Sequence, residues 1–551
     1  MLTNNSGSYR TNTQIVVVGG GPAGTTVATM LARKGLSVIL LERANFPRDH
    51  VGESLLPASM PILKELGVIT EVEQSGFLPK YGATMLWGSQ PDPWSWYFSE
   101  TNHQYPHAFQ VWRPTFDNIL LENSRKNGVD VRENHQVTSV DFLDTGSVTI
   151  NYVHQVDKKG SIDADFIVDA SGSNCLLARQ LDLREWDQFF QNLAVYGYFK
   201  GGSTLPDPDQ TNIFIESTTN GWIWNIPLHT GVTSVGAVVD STYGQTQISQ
   251  IGIKDFLLQN INQSEYTAKM LKDAELVSKP VVLKDWSYTN NPMAGDNYIL
   301  VGDAACFIDP LFSSGVHLAF MSGILAAAHI TTAIKDKDLG KESKQVYANL
   351  YSQEYQHFRE LAKLFYSSNR TVDSYFWEAR RLLGVDTSYD SRKSFINAVA
   401  GQAPRGYERA VMERGQLSEE LLNEINEVSE IRSSRKSQAD SLLSGINIAS
   451  PAISQLTPIL IDGTKIEVKP VLGDGEFQWG YVLISPDRPE GAECSRLVSE
   501  LVSLMLTKSS FASIWNNIQT KFEHIDPKRL ERDILNTISI LYTDGTITKF
   551  I

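Results

Sequence analysis

Gly19, Gly21 and Gly24 stand in G-x-G-x-x-G spacing. The chemistry of that pattern is dinucleotide binding: the first glycine permits a tight turn, the second lets backbone approach a pyrophosphate, and the third lets a helix pack on a strand. Ala23 lies inside the same turn, and Glu42 and Arg43 end the segment VILLER, where a carboxylate can accept a ribose hydroxyl. Asp169 in FIVDASG and Asp303 in YILVGDAA each close an apolar run ahead of a helix start, the place where open α/β sheets bind ligands. Lys80 is a lone amine in the aromatic stretch FLPKYGATMLW. On its own it fits a snorkelling lysine whose stem packs on rings. Arg113, ahead of a Pro-led helix, reaches either a bound phosphate or a structural carboxylate.

The elements that must position these groups follow from the pattern of apolar residues. Ile15–Val18 is an unbroken apolar run, the signature of a parallel strand buried on both faces, followed by a helix over 23–33 and a second strand over 38–41. Aromatic-rich alternation from Leu193 to Val239 predicts a largely antiparallel sheet inserted into the nucleotide fold. From about Asp338 helical spacing takes over as far as about Asp440, with IRSSRKSQAD (Ile431–Asp440) expected as a polar linker. Strands, three short helices and a terminal strand pair then predict a small winged-helix-like segment. The expected fold class is α/β, a Rossmann-type domain with an inserted sheet. The expected division is residues 1–340 for the nucleotide domain, its substrate-side sheet at about 80–112 and 190–290, then 341–440 helical and 441–551 an α+β cap.

The chain has 551 residues, 42% of them hydrophobic, and a formal net charge of -15. That field disfavours nucleic acid and anionic membranes as partners. The N-terminus lacks the apolar core of a secretory signal, and no apolar run is expected to reach the roughly 20 residues that span a bilayer, so the expected location is cytoplasmic. Three scattered cysteines, Cys175, Cys306 and Cys494, indicate neither a disulfide framework nor a metal site.

Taken together these motifs resemble the flavin-dependent halogenases, the branch of the p-hydroxybenzoate-hydroxylase-like flavoproteins that chlorinates or brominates electron-rich aromatics. The resemblance covers roughly Gln14 to Leu383. Its most specific element is Trp222-Ile223-Trp224-Asn225-Ile226-Pro227, the W-x-W-x-I-P hallmark that separates substrate from flavin in the family; FLPKYGATMLW matches the segment that carries the catalytic lysine, here Lys80. Gly302 and Asp303 match the ribityl motif, and DPLFSSGVHLAF, with Pro310, Ser314 and Gly315, matches the segment beside the flavin and halide.

The resemblance implies FAD as cofactor, reduced by a separate flavin reductase, with chloride or bromide as co-substrate held by backbone N–H groups near Ser314 and Gly315. It also implies hypohalous acid relayed to Lys80 for electrophilic halogenation. In tryptophan halogenases a glutamate occupies the position of Phe312. Its absence here points to a phenol or pyrrole, free or on an acyl or peptidyl carrier protein, which Arg380, Arg381, Arg432, Arg435 and Lys436 would receive. Asp285 is the candidate for a covalent flavin link, and His103 and His107 are candidate bases. An FAD-dependent aromatic hydroxylase is the alternative, distinguished by direct reduction with NAD(P)H.

Overall fold

The computed structural model describes residues 11–88, 91–100, 102–154, 158–283, 286–369, 371–374, 377–378, 419–443, 447–448, 450–451 and 453–551. These gather into two compact units, the first running up to Thr331 and resuming at Tyr347, the second holding Thr332–Val346 and Glu419–Ile551.

In the first unit the strand Asn12–Val18 lies parallel between Val38–Leu41 and the latter half of Lys158–Asp169, and that half also carries Tyr298–Leu300 in parallel. Coverage on both faces explains why these strands end in runs of Val, Ile and Leu rather than alternating. Val18 is in register with Leu41 and with Asp169, and Asp169 with Leu300. Four strands therefore end in one row, and the loops at Gly19, Glu42, Ala170 and Val301 all leave from that edge. Gly19 has φ +110°, and a Cβ there would stand 2.3 Å from the Ala170 carbonyl oxygen. A Cβ on Gly24 would stand 1.9 Å from the carbonyl oxygen of Gly19, so helix Pro22–Arg33 can start against the strand only because both side chains are absent.

The inserted sheet is mostly antiparallel, as the alternation predicts. Its order is Cys306–Phe307, Trp286–Asn290, Arg184–Lys200, Val232–Asp240, Gly221–Pro227, Ile213–Thr218, Gly82–Leu86 and Trp94–Tyr97, with one parallel pair between Ile213–Thr218 and Gly82–Leu86. Ile223 on the central strand packs with Leu193, Val195, Val235, Phe256 and Leu257, so helix Ile253–Gln263 covers that face. By the two-residue period, Trp222, Trp224 and Ile226 occupy the other face.

Helix Gly315–Lys335 has 21 residues and a mean hydropathy of 1.4, long and apolar enough to cross a membrane, where the sequence reading expects no such run. Its window is 78% buried inside the protein, and a Cβ on Gly323 would come within 2.9 Å of Thr26. The apolarity thus belongs to a core helix pressed on Pro22–Arg33. Next comes one 32-residue helix, Lys337–Ser368, whose later half belongs to the first unit. It is fastened there by Tyr347 and Tyr351, whose hydroxyls donate to the Leu300 and Gly302 carbonyls at 2.6 and 3.4 Å.

In the second unit the stretch expected as a polar linker, Ile431–Asp440, is instead helical, part of Glu419–Leu443. Its polarity suits an outer face, while Ala439 and Leu443 are buried. Arg435 donates to the Tyr542 and Ile547 carbonyls, and Arg432 pairs with Asp544, which satisfies the end of helix Pro527–Thr543. Strands Lys465–Leu472, Phe477–Ser485 and Arg488–Cys494 form an antiparallel sheet beside helices Arg496–Leu506, Phe511–Lys521 and Pro527–Thr543. The last strand, Ile547–Phe550, pairs with Pro458–Leu460, which precedes the helices. This departs from the expected terminal strand pair.

The helix–strand contact yields the first prediction. Gly24→Ala forces backbone apart at Gly19 and should destabilise the first unit by about 1–3 kcal/mol, read as a lowered calorimetric transition for that unit.

Candidate active site

A cavity of about 600 Å³ opens at the row of strand ends, within the size range of cofactor pockets. Of the residues expected to bind cofactor, Gly19, Gly21, Ala23, Glu42, Arg43, Arg113, Gly302, Asp303, Pro310 and Gly315 line it; Gly24 and Asp169 do not. Glu42 accepts the Gly20 and Ala44 amides at 2.7 and 2.8 Å, which holds its carboxylate at the cavity wall. Asp169 is fully buried, and its two oxygens accept the Ser171 and Leu177 amides. Its carboxylate therefore shapes the loop that lines the cavity rather than facing a ligand.

Arg113 is gripped by Asp117 through two hydrogen bonds and donates to the Val51 and Gly52 carbonyls. It satisfies the salt-bridge reading and lines the cavity as well. Asp303 is pushed up to about 6 by burial, against the pull of nearby Arg113.

Two lining residues escaped the sequence reading. Arg48 carries its Nη2 3.5 Å from where a Gly21 Cβ would be; its Nη1 is buried without a hydrogen bond, with Asp117 at 3.4 Å. Glu53 accepts the Tyr198 hydroxyl at 2.9 Å, and burial raises its pKa. Both sit in FPRDHVGES, where charged residues set among a proline and a glycine were the available signal. The open space at Gly21, with the Arg48 Nη2 beside it, fits a pyrophosphate. The residues present thus fit FAD.

Lys80 does not line this cavity. It ends strand Leu78–Lys80, paired with Ala108–Gln110, and is 2% exposed. Gln110 is bridged in turn to Ser54, and Leu55 donates its amide to Phe109. The Lys80 amine donates to the Leu55 carbonyl at 3.0 Å and stands 5.5 Å from the Phe98 ring centre. It is thereby one residue behind Ser54, which lines the cavity. Burial alone brings its pKa down to about 7, the range in which an amine exchanges protons readily. The snorkelling alternative requires a wet amine, and this one is dry.

Trp222, Trp224 and Ile226 line the cavity; Pro227 ends their strand outside it. Asp309 caps the turn Pro310–Phe312 by accepting the Leu311 amide, and Ser313 follows in the left-handed region at φ +57°. Ser313, Gly315 and Val316 line the cavity, whereas Ser314 is buried away from it. The first turn of helix Gly315–Lys335 leaves amides without helical acceptors, a suitable cradle for a small anion.

Asp285, Arg380 and Arg381 lie outside the described residues. Arg432 and Arg435 are engaged within their own unit. His107 packs its ring on Tyr81 and Phe109, and neither it nor His103 lines the cavity. Among the described residues no cluster of His, Cys, Asp and Glu could hold a metal ion.

Comparison with known proteins bears on what such a cavity serves. The profile of the Tryptophan halogenase family matches residues 14–106 and 101–425. A Tryptophan 2-halogenase of Chondromyces crocatus is 36% identical over 72% of this chain and 77% of its own length. A 1H-pyrrole-2-carbonyl-[peptidyl-carrier protein] chlorinase of Pseudomonas fluorescens is 34% identical over 67% and 87%.

Among solved structures, the myxobacterial chondrochloren halogenase CndH superposes with TM-score 0.66 at 39% identity, covering 71% of this chain and 90% of that one. The flavin-dependent halogenase CmlS gives TM-score 0.73 at 26% identity over 98% and 96%. These relatives favour halogenation over the hydroxylase alternative. With a dinucleotide cavity, a tryptophan wall and relatives of this kind matched over most of their length, the chain belongs to the tryptophan halogenase family and is an FAD-dependent enzyme that halogenates aromatic rings.

Proposed function

We propose that this enzyme directs hypohalous acid through Lys80 onto a phenol or pyrrole ring, free or tethered to a carrier protein. The observation that carries the reading is the dry Lys80 amine, hydrogen-bonded to the carbonyl of Leu55, the residue after cavity-lining Ser54, with burial bringing its pKa down to about 7. Bound in the cavity, reduced FAD supplies hypohalous acid from oxygen and chloride or bromide. A separate flavin reductase provides the reduced flavin.

Each further task falls to the chain. Glycines 19 and 21 admit the pyrophosphate, Arg48 neutralises it, and Glu42 orients the ribose. Amides at Gly315 and Val316 hold the halide without a fixed cation that would bind it too tightly to release. Trp222 and Trp224 keep the ring of the substrate from the flavin. Neutral Lys80 attacks the halogen of hypohalous acid, giving an N-halo-amine and water; the ring then takes the halogen as an electrophile and returns a proton to the nitrogen. Phe312, buried edge-on against Phe365 at 4.7 Å, offers no carboxylate where free-tryptophan enzymes have a glutamate, so the substrate must be activated by its own hydroxyl or ring nitrogen. Asp285 is read as the residue of a covalent flavin link.

Three expectations follow. Arg48→Ala should weaken FAD binding about tenfold, as loss of one charge-assisted contact does, measured by flavin fluorescence titration. Lys80→Ala and Lys80→Arg should cut halogenated product by about 100-fold or more while oxygen uptake continues, and wild-type product per oxygen should fall between about pH 8 and about pH 6 as the amine gains its proton. Regioselective product from Lys80→Ala would remove the assignment. Mass spectrometry after incubation with a flavin reductase, either halide and a panel of phenols, pyrroles and tryptophan, free and carrier-bound, should find halogenated phenol or pyrrole; product from tryptophan alone would refute the substrate class.

A further inference from the structure

We infer that Tyr366 is a positioning residue for halogenation, clamping the tryptophan wall and the Asp309–Gly315 loop to each other through its hydroxyl. Four side chains, Asn192, Trp222, Asp309 and Tyr366, are each no more than 2% exposed. The Trp222 indole N–H donates to the Tyr366 hydroxyl at 2.5 Å, and that hydroxyl donates to Asp309 Oδ2 at 2.7 Å. Asn192 adds donors to the same carboxylate oxygen at 3.1 Å and to the hydroxyl at 3.3 Å.

The direction of this chain is not a matter of choice. Indole can only donate, an ionised carboxylate can only accept, and a phenol does both. Among the described residues, Tyr366 therefore joins the two.

What it joins are two walls of one cavity. Trp222 lines it from the inserted sheet, and Pro310, Ser313 and Gly315 line it from the loop that Asp309 begins. Asp309 holds that loop with its other oxygen, by accepting the Leu311 amide at 3.1 Å. The hydroxyl comes from the last turn of helix Lys337–Ser368, distant in sequence from both. A buried indole N–H left without an acceptor is costly, so loss of the hydroxyl frees Trp222 to turn and leaves Asp309 one donor short. Either change misplaces a wall against which the oxidant must be made and guided.

The ring of Tyr366 is held separately from its hydroxyl. It packs edge-on against Trp87 and Phe190, with centroids 5.7 and 5.4 Å away, and is tilted on Trp377 at 5.7 Å. Tyr366→Phe keeps those contacts and removes one oxygen. A change in that variant thus reports the hydrogen bonds.

The inference rests on the proposed reading of Trp222 as the wall between flavin and substrate, so the test compares wild type, Tyr366→Phe, Trp222→Phe and the double variant. Each holoenzyme is assayed with a flavin reductase and bromide for brominated product per oxygen consumed. In Tyr366→Phe that ratio should fall about tenfold, the scale of one buried hydrogen bond to a charged partner, with peroxide accounting for the difference. The double variant should be no worse than the poorer single one, because one linkage is cut twice. In the FAD-free protein, the indole N–H resonance of Trp222, identified by its absence from Trp222→Phe, should move upfield in Tyr366→Phe. A wild-type product-to-oxygen ratio in Tyr366→Phe overturns the inference, as do fully additive losses in the double variant. A wild-type ratio in Trp222→Phe together with a lowered one in Tyr366→Phe refutes the wall reading and leaves Tyr366 acting through Asp309.

Discussion

Parallel pairing that brings four strands to an end at one level is the constraint from which the rest of the first unit follows. Once Val18, Leu41, Asp169 and Leu300 share a row, every loop that leaves them starts from the same edge. Hydrogen bonds of a parallel ladder are evenly spaced, so a slip of one residue in any pair would turn its side chains to the wrong face. Burial on both faces forbids that slip. The cavity is thus a product of register before it is a product of any particular lining residue, and Asp169 shows the division of labour. Its carboxylate is satisfied by amides of its own loop, and it contributes by keeping that loop where the neighbouring strands require it.

Lys80 reaches the same place by a different route. Three short extended segments, around Ser54, Gln110 and Lys80, lie side by side, and the first of them runs along the cavity wall. The amine turns back onto that first segment, at Leu55. The segment that lines the cavity thereby also fixes the Lys80 nitrogen. An ammonium in such a setting would be poorly solvated, and the lowered pKa is the direct result.

Much of this was legible in the residues. Runs such as Ile15–Val18 and the glycines after them announce a nucleotide fold because few other structures need that combination, and alternation in Leu193–Val239 announces a half-covered sheet. The W-x-W-x-I-P and lysine segments added what periodicity cannot supply. The misreadings have physical causes. Ile431–Asp440 has the composition of a linker, yet two arginines that look solvated fasten a helix to carbonyls remote in sequence. Gly315–Lys335 carries His317, Ser322 and His329 among its apolar residues, so it is no unbroken apolar run, yet as a helix it is apolar enough on average to count. Arg48 escaped because its local signal was no more than a charged run set between a proline and a glycine, and Tyr366 because nothing local marks it. Their significance comes from partners brought close by folding.

The long helix Lys337–Ser368 carries Tyr347, Tyr351 and Tyr366, whose hydroxyls all meet groups at or next to the cavity edge. An α-helix turns by about 100° per residue, so Tyr347, Tyr351 and Tyr366 fall within roughly 100° of one another around the helix axis. A single residue inserted or deleted between Tyr351 and Tyr366 would swing the last hydroxyl by about 100° from its target while leaving the other two in place. This stretch of the chain behaves as a ruler: the number of its residues fixes where the last hydroxyl falls.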